Sequence, residues 1–174
     1  MDIVKRRKDA WAVALVLFAV YLSMLEALIP KPFPWMKIGL ANIAAIIAVK
    51  KFGVKFAIEI TFLRVLIYGI FFSTLFTPGF FISFIAGIIS TILMAVLVKM
   101  NKFSLVAVSS AAGVVHNIMQ LITAYVMLFR GININERGIL IFVAIFLGTG
   151  AVSGIFTGIA ASKIIGYKEI KNRI

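Results

Sequence analysis

The segment 105–129, LVAVSSAAGVVHNIMQLITAYVMLF, decides the fold, because it is long and apolar enough to cross a bilayer yet carries polar side chains at its centre. His116 and Gln120 are one helical turn apart, and Asn117 lies three residues before Gln120, so the three share one helix face. A polar stripe in hydrocarbon must face protein or water, which makes it a candidate substrate or ion site. The alternative is that these side chains only join neighbouring helices.

The composition is that of an integral membrane protein. Of the 174 residues, 63% are hydrophobic and 14% are charged, and the mean hydropathy is +1.12, which excludes an ordinary soluble domain. The chain has no cysteine and one histidine, so we expect neither a metal site nor a bound cofactor. The 18 lysines and arginines occur in short clusters between apolar runs. That pattern indicates topology signals and does not favour nucleic acid as a partner.

The apolar runs predict an all-α membrane protein in which residues 1–174 form a single integral membrane domain, a six-transmembrane-helix bundle. The spans are expected near residues 10–29, 38–49, 54–72, 80–98, 105–129 and 138–164. The second run is too short to cross a bilayer unless it extends into its flanks. Starting in the cytoplasm puts most lysines and arginines on the cytoplasmic side, so both termini are expected there.

Several polar residues lie within or at the ends of these spans. Glu26 is in the last turn of the first span, where it is either an interfacial carboxylate or a site residue. Glu59 and Arg64 are five residues apart, so they stack poorly on one helix, and each is expected to have a partner elsewhere. Arg64 can neutralise a carboxylate or hold an anionic ligand group. The predicted substrate-binding residues are Glu26, Asn42, Arg64, His116, Asn117 and Gln120.

Small residues four positions apart mark two helices for close packing. Ala10 and Ala14 form such a pair near the basic end of the first span. The sixth span has a longer series that would make one helix face flat, for packing within the bundle or against a partner protein. Its members are Gly150, Gly154, Gly158 and Ser162.

Together, three features of the chain resemble the substrate-binding S components of energy-coupling factor transporters. They are the Ala10 and Ala14 pair, the proline-rich loop 30–37 that leads into Lys37-Ile-Gly-Leu-Ala-Asn42, and His116-Asn117-x-x-Gln120. The resemblance covers nearly the whole chain and is closest to the subgroup labelled "Gx transporter" or "heptaprenyl diphosphate synthase component I".

The resemblance implies a subunit of the prokaryotic cytoplasmic membrane that captures a small vitamin-like or cofactor-like molecule from outside. Such a subunit docks on a transmembrane coupling subunit that is bound to two ATPase subunits. It implies that Ala10 and Ala14 contact the coupling subunit and that the proline-rich loop gates the pocket. The gate residues implied are Lys31, Phe33, Trp35 and Lys37.

The chain itself is not expected to be an enzyme. It lacks a Gly-x-x-x-x-Gly-Lys-Ser/Thr nucleotide-binding motif, so ATP hydrolysis would occur in partner subunits. Prenyl-diphosphate synthesis relies on clustered aspartates that hold magnesium, whereas the only aspartates are Asp2 and Asp9. An alternative is an accessory membrane subunit of prenyl, quinone or flavin-linked electron-transfer metabolism. A third is an ion or proton pathway through Glu59, Arg64 and His116.

Overall fold

The chain folds into helices alone within residues 2–30, 36–131 and 136–171, which are the residues that the computed structural model describes. No strand occurs in these ranges, so the predicted all-α class is confirmed. The helices are α1 (Asp2–Ala27), α2 (Asn42–Phe52), α3 (Val54–Phe71), α4 (Pro78–Met100), α5 (Leu105–Leu128) and α6 (Arg137–Lys171).

Four of the helices are long and apolar enough to cross a membrane. They comprise residues Asp9–Ala27 of α1, all of α4 and α5, and residues Arg137–Gly166 of α6. In contrast, α2 has 11 residues, or roughly 16 Å at 1.5 Å per residue, which is about half of a hydrocarbon core. Three charged residues interrupt α3, namely Lys55, Glu59 and Arg64. The structure therefore supports a membrane protein, and six spans with cytoplasmic termini stay predictions.

The short helix α2 is enclosed by protein. Each residue from Asn42 to Val49 is buried, and α2 contacts all five other helices. Because its side chains contact protein instead of lipid, α2 does not have to be long enough to cross the bilayer. It begins four residues later than the predicted run, since Gly39 has a φ of +94° and forms a turn there.

The glycines of α6 bring its backbone against α5. A Cβ atom built on Gly150 would lie 2.6 Å from the carbonyl oxygen of Gly113, and one on Gly154 would lie 2.5 Å from that of Ser109. A Cβ atom on Gly158 would also meet the backbone of α5, at 2.7 Å. These glycines thus pack within the bundle, which is the first of the two alternatives for this series.

Both long central helices begin with a side-chain cap. Thr77 precedes α4 and accepts a hydrogen bond from the Phe80 N–H at 3.3 Å, and Pro78 occupies the first helical position. Ser104 precedes α5 and accepts one from the Ala107 N–H at 3.1 Å. These caps fix where α4 and α5 begin, and therefore fix the position of their polar residues along the helix bundle.

Candidate functional site

Gln120 joins α5 to the loop that precedes α2. It is completely buried. Its Oε1 accepts a hydrogen bond from the Lys37 N–H at 2.8 Å, and its Nε2 donates to the Lys37 carbonyl at 2.9 Å and to Asn117 Oδ1 at 3.3 Å. With both amide hydrogens used, Gln120 holds the backbone of Lys37. The other predicted gate residues, Lys31, Phe33 and Trp35, lie outside the described residues.

Two further side chains hold the same loop. The Glu26 carboxylate, only 1% exposed, accepts hydrogen bonds from the N–H groups of Gly39 at 2.9 Å and Leu40 at 3.2 Å. Ser153 of α6 donates to the carbonyl of Ile38 at 2.9 Å. The backbone from residue 37 to residue 40 is therefore fixed by three helices, and side chains are the parts of this loop that can move most easily.

Asn117 is engaged with α6. Its Nδ2 donates to the Phe146 carbonyl at 2.6 Å and to Thr149 Oγ1 at 3.4 Å. A Cβ atom on Gly150 would lie 2.7 Å from the same nitrogen. These contacts use both amide hydrogens of Asn117 and give it a structural role at the α5–α6 interface. Ligand contact by Asn117 and Gln120 stays a prediction.

Arg64 is a buried residue with unused hydrogen-bonding capacity. It is 5% exposed, and its guanidinium lies between α1 and α4, where Nη1 donates to Ser23 Oγ at 3.4 Å. A Cβ atom on Gly87 would lie 3.2 Å from Nη2. Within the described ranges this is the only hydrogen bond of a group that has five N–H donors. Arg64 therefore retains donors for an additional group.

Glu59 and Arg64 occupy different faces of α3. Glu59 is exposed, whereas Arg64 points into the bundle. Among the described residues, neither forms an ion pair, so a partner carboxylate for Arg64 is missing even though Glu26 is its principal electrostatic neighbour. The expectation of a partner on another helix is met for Arg64 by Ser23 of α1, whereas among the described residues Glu59 has no such partner. A single pathway through Glu59, Arg64 and His116 is also not favoured by this arrangement.

His116 has one nitrogen without a partner. The side chain is 2% exposed, and its Nδ1 lies 3.3 Å from Ser90 Oγ of α4. Its Nε2 is buried and has no hydrogen-bond partner in the described part of the chain. An unsatisfied buried nitrogen costs about 1–3 kcal/mol, so His116 is, like Arg64, a group that a ligand or water would satisfy.

Two cavities lie beside Lys37 and Tyr68. The first, here called the α1 cavity, has a volume of about 380 Å³ and is lined by Ser23, Glu26, Ala27, Leu28, Ile29, Pro30, Lys37 and Tyr68. The second, called the α4 cavity, has a volume of about 290 Å³ and is lined by Lys37, Val65, Tyr68, Gly69, Thr74, Thr77, Gly79, Phe80, Ser83 and Leu128. Volumes of this order suit a small organic molecule.

Lys37 and Tyr68 line both cavities. The Lys37 Nζ lies 4.3 Å from the centroid of the Tyr68 ring, which is a cation–π contact. Tyr68 and Ser23 were not predicted as site residues. The available signal was spacing, since Tyr68 follows Arg64 by one turn and Ser23 precedes Glu26 by three residues.

Of the predicted substrate-binding residues, Glu26 alone lines either of these two cavities, and the other five belong to neither lining. Asn42 is buried beneath the turn, with its Nδ2 3.0 Å from the position of a Cβ on Gly39. Ala10 and Ala14 are exposed on α1, beside other exposed residues such as Val13 and Leu17. Ser162 donates to the Gly158 carbonyl of its own helix at 2.8 Å.

Fold and site together define a helical membrane protein with two cavities that lie between helices and beside a fixed loop. The family model described as heptaprenyl diphosphate synthase component I matches residues 15–164. The chain belongs to this family, and the resemblance to that subgroup is confirmed. Comparison with curated proteins found no match, and comparison with solved structures found none.

Proposed function

We propose that the protein is the substrate-binding S component of an energy-coupling factor importer, which captures a small vitamin-like or cofactor-like molecule from outside the cell. The observation that carries this proposal is Arg64. A buried cation with one long hydrogen bond is unfavourable in a membrane protein unless another group pairs with it. Its hydrogen-bond partner Ser23 lines one cavity and Tyr68, one turn further along α3, lines two, so there is room nearby for a ligand that would supply that group.

The proposal includes the arrangement in the membrane and the partners. All six helices would lie in the cytoplasmic membrane, with both termini in the cytoplasm. The exposed face of α1 that contains Ala10 and Ala14 would dock on a transmembrane coupling subunit, since small side chains allow close helix contact. Two ATPase subunits would supply the energy, and this chain would have no catalytic activity of its own.

Native mass spectrometry tests the binding function. Protein purified from its native membrane is expected to retain a small molecule, and Arg64→Ala is expected to lose it. Arg130→Ala is the matched control, because Arg130 is exposed. Loss of the molecule from neither variant, or the absence of any retained molecule in the unaltered protein, would contradict the proposal.

Co-purification tests the partners. Ala14→Leu places a larger side chain on the exposed face of α1 and is expected to prevent assembly with a coupling subunit while ligand retention persists. Ala107→Leu makes the same change at an exposed position of α5 and is the control. Unimpaired assembly of Ala14→Leu would contradict the proposal that this face of α1 docks on the coupling subunit.

A second candidate function is an accessory subunit of prenyl or quinone metabolism. The family description favours it, as does the largely apolar lining of the α4 cavity. Under this alternative the retained molecule would be an isoprenoid or quinone, and the chain would co-purify with a prenyltransferase subunit. A retained water-soluble molecule and assembly with a coupling subunit would decide for import.

A further inference from the structure

The charged side chains around the two cavities have an excess of positive charge. Lys37 and Arg64 are cations, while Glu26 is the one carboxylate that lines either cavity in the described part of the chain. Both oxygens of Glu26 already accept backbone hydrogen bonds. A ligand with about one negative charge would therefore complete the charge balance of this region.

The walls of the α4 cavity offer mainly carbon. Two of its hydroxyl groups are used by the backbone next to them, because Thr77 Oγ1 donates to the Thr74 carbonyl at 2.6 Å and Ser83 Oγ donates to the Gly79 carbonyl at 2.7 Å. Its apolar lining includes Phe80, Val65 and Leu128. This cavity suits the apolar part of a ligand, whereas the α1 cavity suits a charged part.

Arg64 is connected to both cavities through residues that it contacts or that lie one turn away. Ser23, which accepts its hydrogen bond, lines the α1 cavity. Gly87, which lies against its guanidinium, is one turn beyond Ser83 of the α4 cavity. Tyr68, which lines both cavities, is one turn beyond Arg64 itself on α3. Ser23 and Tyr68 thus separate the Arg64 guanidinium from the α1 cavity and Tyr68 and Ser83 from the α4 cavity, so a ligand that reached past them would meet the same guanidinium.

We propose that the α1 and α4 cavities are two compartments of one site for an amphiphilic organic anion, and that ligand entry moves the Lys37 ammonium off the Tyr68 ring. This inference rests on the proposed binding function. Gln120 holds both the N–H and the carbonyl of Lys37. The backbone therefore stays in place, and only the Lys37 side chain has to move. The ammonium then pairs with the anionic group beside Arg64, and the apolar part of the ligand takes its place on Tyr68.

Fluorine NMR of the full chain in detergent micelles tests this inference, with protein-free micelles as the blank. The probes are para-fluorophenyl phosphate, which is an amphiphilic anion, and para-fluorobenzyl alcohol, which lacks the charge. Inorganic phosphate serves as a competitor that lacks the ring. The unaltered protein is expected to bind the phosphate ester at least about tenfold more tightly than it binds para-fluorobenzyl alcohol or inorganic phosphate. This comparison needs no variant.

Two variants then separate the roles of Lys37 and Tyr68. Lys37→Met is expected to weaken the phosphate ester about tenfold to a hundredfold, because it removes a charge-assisted hydrogen bond. It should bind the neutral alcohol at least as tightly as before, because the compartments are joined. Tyr68→Leu should weaken both probes. The controls are Lys55→Met and Tyr125→Leu, which make the same changes at exposed positions.

Weaker binding of the ester by Lys37→Met together with undiminished binding of the alcohol supports the inference, since general misfolding would weaken both. Equal effects on both probes, or no preference of the unaltered protein for the ester, would overturn it. A native ligand without an anionic group would also overturn the ligand class while leaving the proposed binding function intact. No retained native molecule and no probe binding would overturn both proposals.

Discussion

Replacing Gln120 with leucine would remove the amide that holds the loop before α2, while leaving a side chain of similar size. The change leaves the N–H and carbonyl of Lys37 without their partners at 2.8 and 2.9 Å, and Asn117 Oδ1 without its donor at 3.3 Å. Each unsatisfied buried group costs about 1–3 kcal/mol. Because Lys37 is only half-buried, we expect the lower end of that range, or about 2–4 kcal/mol in total.

Hydrogen exchange measured by mass spectrometry checks this expectation locally. If about 2 kcal/mol of the loss falls on the loop, amide exchange in residues 36–41 accelerates roughly thirtyfold, since 1.4 kcal/mol corresponds to a factor of ten. Ser109→Ala is the control, because it removes a buried hydrogen bond of α5 to Thr157 at 2.7 Å that is remote from the loop. It should lower overall stability and leave exchange in residues 36–41 unchanged.

The reasoning would be refuted by unchanged loop exchange in Gln120→Leu. Equal acceleration in both variants would also refute it, since the effect would then reflect global loosening. Selective acceleration would establish that Gln120 positions Lys37. Weaker binding of an anionic probe by the same variant is then expected, because Lys37 would no longer be held beside Tyr68.

Three other predictions concern packing, charge and chemistry. Gly150→Ala should lower the free energy of unfolding by about 1–3 kcal/mol, because its Cβ would lie 2.6 Å from the Gly113 carbonyl oxygen. Gly148→Ala, with nothing within 4 Å, should be neutral or slightly stabilising in thermal unfolding. Glu59→Gln should leave ligand retention unchanged in native mass spectrometry, because Glu59 is exposed on α3; loss of the ligand would show that Glu59 contributes to binding. The purified chain with magnesium and prenyl diphosphate precursors should form no longer prenyl diphosphate, and product detected by chromatography would reverse that conclusion.

The sequence located most elements of the fold because the relevant signals are local. Apolar runs and their charged ends predicted the helices, with α3, α4 and α5 beginning within two residues of the expected positions. Glycine spacing predicted one closely packed face of α6. Arg64 and His116 were candidates because polar groups in apolar segments require a partner, and both still have unused hydrogen-bonding groups.

The roles within the polar cluster depended on distant contacts. Gln120 and Lys37 are 83 residues apart in the chain, so no local pattern indicates that this amide holds a loop backbone. Asn117 lies on the same helix face as Gln120, yet it donates its hydrogen bond to α6. Similarly, only the fold brings the Lys37 ammonium over the Tyr68 ring, so no local pattern identified Tyr68 as a cavity residue.

By itself, the sequence determined that this chain is a helical membrane protein, where its helices lie and which buried polar groups need partners. These properties follow from hydrophobicity and helical periodicity, which act over a few turns. Only the tertiary structure decided that α2 is enclosed, that Glu59 faces outward while Arg64 faces inward, and that Lys37 and Tyr68 line two cavities. Those outcomes depend on which helix faces meet, and helices that are remote in sequence settle that by packing and hydrogen bonding together.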